Sequence, residues 1–479
     1  MAGPWPDRPP TAEEYDAYAH AVTRPFWLDG LPRRDPHPPL VGSTEADLCI
    51  VGGGFTGLWA ALQAKADDPD RDVVLLESET IGHGASGRNG GFASSSLTHG
   101  IANGMARFSD EIELLERLGR DSFDGMLWDI EAYGIDCDLE LSGDLAVALE
   151  PHELGWLEDE VELLRRFGHD YELLDGDAMR AEIASPSYLG GLWDRTGAAM
   201  LDPGKLADGL RAAAVGARVR IYEHSAARSL EEAADGRVEV CLERGGARVT
   251  AQRAVLGTSA FPPLLRSIRR YIVPVYDYVL VTEPLTRAQM AGLGWRERQG
   301  VSDMGNQFHY YRLTRDNRIL WGGYDAVYRF RGGVGPHRDV DEASFGRLSR
   351  NFFATFPQLR GEVEFTHRWG GAIDTCSRFS VFFGTALRGR VSYATGYTGL
   401  GVGATRFGAR VALDLVDGRS TEATRSRYVR SRPVPFPPEP LRTAVIQVTR
   451  NRLAAADRNA GRRGVWLRTL DRLGLGFDS

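Results

Sequence analysis

Lysine is almost missing from this chain: of 57 basic residues in 479, only Lys65 and Lys205 are lysines, so any chemistry that needs one has two positions to draw on. Cysteine is scarce as well. Cys49, Cys137, Cys241 and Cys376 are far apart and form no CxxC or Cys/His cluster, which argues against a zinc site and a disulfide framework and makes a reducing cytoplasm the default. The N-terminus has no basic region followed by an apolar stretch, so it does not read as a secretory signal. The most apolar segment, Leu48 to Ala64, is broken by glycines and is shorter than the roughly 20 residues of a spanning helix. No block of Lys and Arg appears and the net charge is −8, so a nucleic-acid partner is excluded and a small-molecule substrate fits better. What is present is ordinary globular composition, 43% hydrophobic and 25% charged, at a length that allows two or three domains.

Residues 1–45 mix proline with aromatic and charged residues and read as an arm carrying a short helix. From Asp47, "ADLCIVGGG" reads as a buried strand ending in glycines, "FTGLWAALQAKA" as a helix and "DVVLLES" as a second strand, giving β-α-β. Residues 217–260 suggest a meander, and "RVSYATGYTGLGVGATRFGARVALDLVDG" is again strand, glycine turn and helix. Between these lie acidic helical stretches and aromatic alternating strands such as "YIVPVYDYVLVTE" and "QFHYYRLTRDNRILWGGYD". The fold class expected is α/β with α+β. A discontinuous Rossmann-type cofactor domain (46–100, 190–262 and 366–420) interleaves with a mostly antiparallel-sheet substrate domain (101–189 and 263–365), before an extension at 421–479. The arginines of that extension read as a solvated helix face.

Gly52, Gly54 and Gly57 form G-x-G-x-x-G directly after a strand and at the opening of a helix, with Phe55 and Thr56 inside the motif and Glu77, followed by Ser78, twenty residues beyond Gly57. The glycines permit the tight turn, the approach of a pyrophosphate to the backbone and close helix–strand packing. The helix N-terminus supplies N–H donors, and Glu77 can accept from ribose hydroxyls. NAD and FAD are not separated by this motif. "IGHGASGRNGGF", Ile81 to Phe92, points to FAD: five glycines with Ser86, Arg88 and Asn89 make a donor-rich loop suited to a second phosphate and ring contact.

With "VGGGFTGLWAA", "GASGRNGGF", "RWGGAIDT" and "ATGYTGLGVG" on the page, the sequence from Asp47 to Val416 resembles the FAD-dependent amine and amino-acid oxidoreductases of the D-amino-acid oxidase superfamily. The branch containing gamma-glutamylputrescine oxidase is the most similar, and glycine and sarcosine oxidases are more distant relatives. The resemblance implies that Ala85, Ser86, Gly87, Arg88, Asn89, Gly90 and Gly91 run along the pyrophosphate and under the flavin, with Gly370 of the third motif near the same site. It also implies that Ala227 meets the adenine, that Thr258 and Ser259 flank the cofactor, and that Gly396, Tyr397, Gly399, Leu400 and Gly401 approach the flavin N1–C2=O edge. The implied reaction moves a hydride from the carbon bearing an amine to flavin N5, giving an imine that hydrolyses, with oxygen or another acceptor reoxidising the flavin.

Tyr278, Tyr311 and Arg312 are the substrate-pocket candidates, Tyr for its ring face and Arg for a carboxylate, and His309 reads as structural. Relatives carry a polar pair where this chain has Gly399–Leu400, so a more apolar pocket is expected. The sarcosine-oxidase branch uses a lysine above the flavin, whereas Lys65 and Lys205 both fall in cofactor-domain stretches. His83 and Cys376 could attach flavin covalently, although noncovalent binding is expected. A flavin monooxygenase using NAD(P)H and a non-catalytic flavin or electron-transfer protein are the alternative readings.

Overall fold

The computed structural model describes residues 4–475. The apolar run expected to be a strand ends Ser43–Val51, turns through glycines into the helix Phe55–Asp67 and returns as Val73–Leu76. The two strands pair in parallel from Leu48↔Val73 to Val51↔Leu76. The helix between them is buried along most of its length because it is packed between the sheet and the helices Pro203–Gly216 and Gly401–Val416.

These strands belong to an eight-stranded sheet. Arg248–Leu256 lies beside Ser43–Val51 in parallel; on its other side its first half meets Val238–Leu242 antiparallel and its last residues meet Val391–Thr395 in parallel. One long strand therefore joins the meander to the glycine-rich C-terminal unit.

A nine-stranded sheet forms the second part. Its order is Val22–Thr23, Phe365–Thr375, Val273–Thr282, Ile319–Gly323, His309–Leu313, Gly300–Asp303, Asp144–Ala148, Gly190–Asp194 and Tyr171–Asp175. The amphipathic helix Glu342–Thr355, whose N-cap Asp341 accepts from Ser344 N, covers one face and closes an aromatic core around Trp321, Phe352 and Phe356. The opposite face is turned toward the glycine motifs.

Three boundaries differ from the sequence reading. Gly190–Asp194 and Phe365–Thr375, expected in the cofactor part, pair in the nine-stranded sheet, because their partners Asp144–Ala148 and Val273–Thr282 come from distant sequence. The arm is more than an arm: Val22–Thr23 adds an edge strand to Phe365–Thr375, after a helix Ala12–Ala19 closed by a Thr11/Glu14 capping box. Trp5 and Trp27 of the arm are buried, and Trp27 Nε1 donates to Asn89 O at 2.8 Å. Among the described residues, no helix is long and apolar enough to cross a membrane.

Candidate active site

The glycine turn is held by two approaches that only glycine allows. Gly52 has φ +110°, and a Cβ there would stand 2.4 Å from the Gly257 carbonyl oxygen; a Cβ on Gly57 would stand 1.9 Å from the Gly52 oxygen. The start of Phe55–Asp67 is thereby pulled onto the strand end. Its N-cap Gly54 supplies no side-chain acceptor, and Ser86 Oγ instead accepts from Phe55 N at 2.9 Å. The donor-rich loop is thus fastened to the positive end of a helix dipole. At the end of the next strand, Glu77 Oε2 accepts from Gly53 N at 2.7 Å, and Oε1 accepts from Glu79 N at 2.8 Å and from Ser78 Oγ at 3.0 Å.

The loop is fixed internally and across to the second sheet. Asn89 Nδ2 donates to Ala85 O and Ser86 O, while its Oδ1 accepts from Gly91 N. Arg88 Nη1 donates to Asp339 Oδ2 at 2.7 Å and to Gly370 O at 3.1 Å, so its charge is spent on tying the loop to the sheet.

A cavity of about 1100 Å³ runs through these elements. Its walls include Gly52, Gly54, Phe55, Thr56, Glu77 and Ser78, Ala85, Ser86, Arg88, Asn89 and Gly90, Ala227, Thr258 and Ser259, and Tyr397, Gly399, Leu400 and Gly401. The last three form the uncapped start of the helix Gly401–Val416, a second helix N-terminus opening on the same space. Thr56 Oγ1 joins the two helix starts by donating to Tyr397 Oη at 3.0 Å. Gly57, Gly87, Gly91, Gly370 and Gly396, expected to touch a cofactor, stand behind the wall. A Cβ on them would meet Gly52 O, Gly82 O, Leu201 O, the Tyr278 ring and Phe382 respectively, so their requirement is packing.

The three substrate-pocket candidates are corrected by the structure. Tyr311 is 1% exposed among Trp295, Trp321 and Phe356, with its hydroxyl 2.7 Å from that of Tyr188. Tyr278 packs on Phe345 and donates to Arg338 O at 2.9 Å. Both face the covering helix, and a strand sends alternate residues to opposite faces. Arg312 points the other way but is consumed by backbone: it donates to Leu201 O at 2.7 Å, Gly91 O at 3.2 Å and Leu313 O at 3.1 Å. Burial brings its pKa down to about 10, so it stays charged at neutral pH. His309 lies in the core, between Gly322 O and Asn351 Nδ2.

The side chains that do reach the cavity from this sheet are their neighbours. Tyr310 stands over Gly90, edge-on to Phe92, and donates to Asp277 Oδ2 at 2.5 Å. Asp277 Oδ1 accepts from Tyr278 N at 2.8 Å and Gly323 N at 3.1 Å. Burial pushes this carboxyl up to about 6 in spite of those donors. The one signal for it in the sequence was a charged residue in the middle of the apolar strand "YIVPVYDYVLVTE".

His99 was also missed, having no motif around it. It takes the left-handed conformation (φ +57°) and sets Nε2 2.6 Å from Thr398 O, beside Gly399 and Leu400. A carbonyl can only accept, so Nε2 carries the proton and Nδ1 is left as acceptor; burial lowers the pKa and keeps the ring neutral. An imidazole from another element therefore stands beside Gly399 on the cavity wall. Lys65 donates to backbone carbonyls and Lys205 to Asp138; neither lines the cavity, nor do His83 and Cys376.

A glycine turn between parallel strands, an adjoining donor loop and a cavity closed by a second sheet define a two-part dinucleotide-binding oxidoreductase. Residues 47–415 match the family model described as DAO, FAD dependent oxidoreductase, and the chain belongs to that family and uses FAD. It is 34% identical over 390 residues to gamma-glutamylputrescine oxidoreductase of Escherichia coli (strain K12), covering 80% of this chain and 86% of that one. Among solved structures, glycine oxidase from Geobacillus kaustophilus superposes with a TM-score of 0.67 at 19% identity, over 82% of this chain and 100% of the other. L-amino acid deaminase from Proteus vulgaris gives 0.65 at 17%, over 83% and 97%. At these identities the two structures speak for the fold.

The residues fit the cofactor on physical grounds. Two helix N-termini whose N-cap residues supply no side-chain acceptor, and a donor-rich loop, open on one cavity, and the turn tolerates no side chain at Gly52 or Gly57.

Proposed function

We propose that the protein oxidises the C–H bond beside the nitrogen of a small amine or amino acid, giving an imine that water hydrolyses. FAD supplies the hydride acceptor, its N5. In this reading Gly54, Phe55 and Thr56 present the helix N-terminus to the pyrophosphate, Glu77 with Ser78 holds the ribose, Ala227 meets the adenine and Thr258 and Ser259 flank the cofactor. Ala85, Ser86, Arg88, Asn89 and Gly90 would lie along the cofactor, and the helix start at Tyr397, Gly399, Leu400 and Gly401 would offer its dipole to negative charge on the reduced ring.

The observation that carries the substrate class is the Tyr310–Asp277 pair on the cavity wall above Gly90. An amine enters as ammonium, and the lone pair must be freed before hydride leaves the adjacent carbon. Tyr310 Oη receives the ammonium proton while passing its own to Asp277 Oδ2, a carboxylate that burial has made more basic than usual. The similarity to gamma-glutamylputrescine oxidoreductase and, in fold, to glycine oxidase supports an amine donor. Oxygen or another oxidant restores the enzyme; no described lysine lines the cavity to assist. The reading also places the protein in a reducing compartment such as the cytoplasm, in keeping with four unpaired cysteines.

The test is an anaerobic absorbance screen of the FAD-loaded protein against primary amines, N-methyl amino acids, D-amino acids and glycine, followed by air. One amine class should bleach the flavin bands and NADPH should not. If no amine bleaches them while NADPH does, the proposal fails.

A further inference from the structure

The arginine-rich tail lies beyond the family-matched residues 47–415, yet it ends over the cavity. Its helix Leu441–Asp457 is tied down around both ends to the nine-stranded sheet's connections. Glu439 accepts from Tyr328 Oη at 2.6 Å and Gln447 Nε2 donates to Tyr328 O at 3.0 Å. At the other end, Asp457 accepts from Asn306 N and Gln307 N, each at 3.1 Å. Between the ties, Val445, Ile446, Thr449 and Leu453 make one helical face and line the same cavity as Tyr310 and Asp277.

Arg450 belongs to that face. Arg452, Arg458, Arg468 and Arg472 are exposed, as a solvated basic surface would have them, while Arg442 donates to Pro437 O and Arg463 to Asp471. Arg450 alone of these lines the cavity. It is half-buried and makes no hydrogen bond or ion pair with the described residues. A partly desolvated guanidinium without a counter-ion is unfavourable, and its planar fork is matched by a carboxylate. The other arginines of the cavity are spoken for or solvated: Arg88 is bound to Asp339, and Arg228 and Arg269 are exposed.

We propose that Arg450 binds an anionic group, a carboxylate, on the substrate, and that the helix Leu441–Asp457 is the wall that selects substrates carrying it. The inference rests on the amine-oxidation reading for where the reacting end sits. Bidentate pairing at Arg450 and proton acceptance at Tyr310 then hold the two ends of one amino acid.

The test is anaerobic calorimetry with the full chain carrying FAD already reduced with dithionite, so that no ligand can transfer hydride, titrating a series of ω-amino acids and their primary amides. For at least one chain length, the wild type should bind the acid at least tenfold more tightly than the amide. Arg450→Ala should remove that preference while leaving amide affinity unchanged, and Arg450→Lys should keep part of it. A wild type that prefers no acid over its amide overturns the proposal, as does an Arg450→Ala variant that keeps the preference or weakens both ligands equally. Binding is read without turnover, so a failure of the amine reading shows separately, as flavin that no amine bleaches.

Discussion

Asn in place of Asp277 should make the protein more stable at neutral pH and slower. In the folded chain burial raises the Asp277 carboxyl from 3.8 to about 6. A shift of roughly 2 units corresponds to about 3 kcal/mol of preference for the protonated form. Below about pH 4 the group is protonated whether folded or unfolded, and the cost is absent. Between about pH 4 and pH 6 the folded state binds the proton more tightly than the unfolded one, so stability falls as pH rises, and above that range the full cost is present. Asp277→Asn removes the titration while keeping the shape: Oδ1 can still accept from Tyr278 N and Gly323 N, and Nδ2 can donate to the Tyr310 hydroxyl. The stability difference, variant minus wild type, should therefore grow by about 3 kcal/mol from pH 4 to pH 8, read from denaturant midpoints of matched preparations. Other raised carboxyls such as Asp374 titrate in both proteins and cancel. At pH 8 the variant should reduce its flavin with amine roughly 10²-fold more slowly. A stability difference that stays flat or shrinks with rising pH would refute the reasoning, whatever the rate does.

Gly57→Val puts side-chain carbon where Gly52 O now stands, so the protein should purify without flavin absorbance; retention of FAD at one equivalent would contradict the account of the turn. Tyr310→Phe should slow anaerobic bleaching by roughly 10²-fold, whereas Tyr311→Phe should leave it unchanged and cost about 1 kcal/mol in stability through the lost Tyr188 partner. The reverse pattern would restore Tyr311 to the pocket. Arg312→Met strands the Leu201 carbonyl and takes one of two donors from Gly91 O, and should lower stability by about 2 kcal/mol with no change in preference for acids over amides. A lost preference there would move the anion site from Arg450 to Arg312.

Legibility followed how local each requirement is. The β-α-β unit and its turn could be read at Gly52 and Gly57 because a positive φ and a sub-van der Waals backbone approach are demands that residue identity alone can meet. The meander at Ala227 to Leu256 was legible by alternation. Gly190–Asp194 and Phe365–Thr375 were assigned to the wrong sheet because strand pairing is a long-range choice with no local mark.

By itself the sequence determined the cofactor-binding architecture and the family. Only the tertiary structure decided which of two adjacent tyrosines faces the cavity. In "HYYRLT" both parities of the strand carry an aromatic, and the choice was made by the helix Glu342–Thr355 burying Tyr311's face. Likewise, nothing near Arg450 in sequence announces a cavity some 140 residues from Tyr310; the tail reaches it because Glu439 and Asp457 pin its helix across the sheet's connections. Period and propensity are properties of neighbours along the chain, whereas a pocket is made of neighbours in space, and it is packing that converts one into the other.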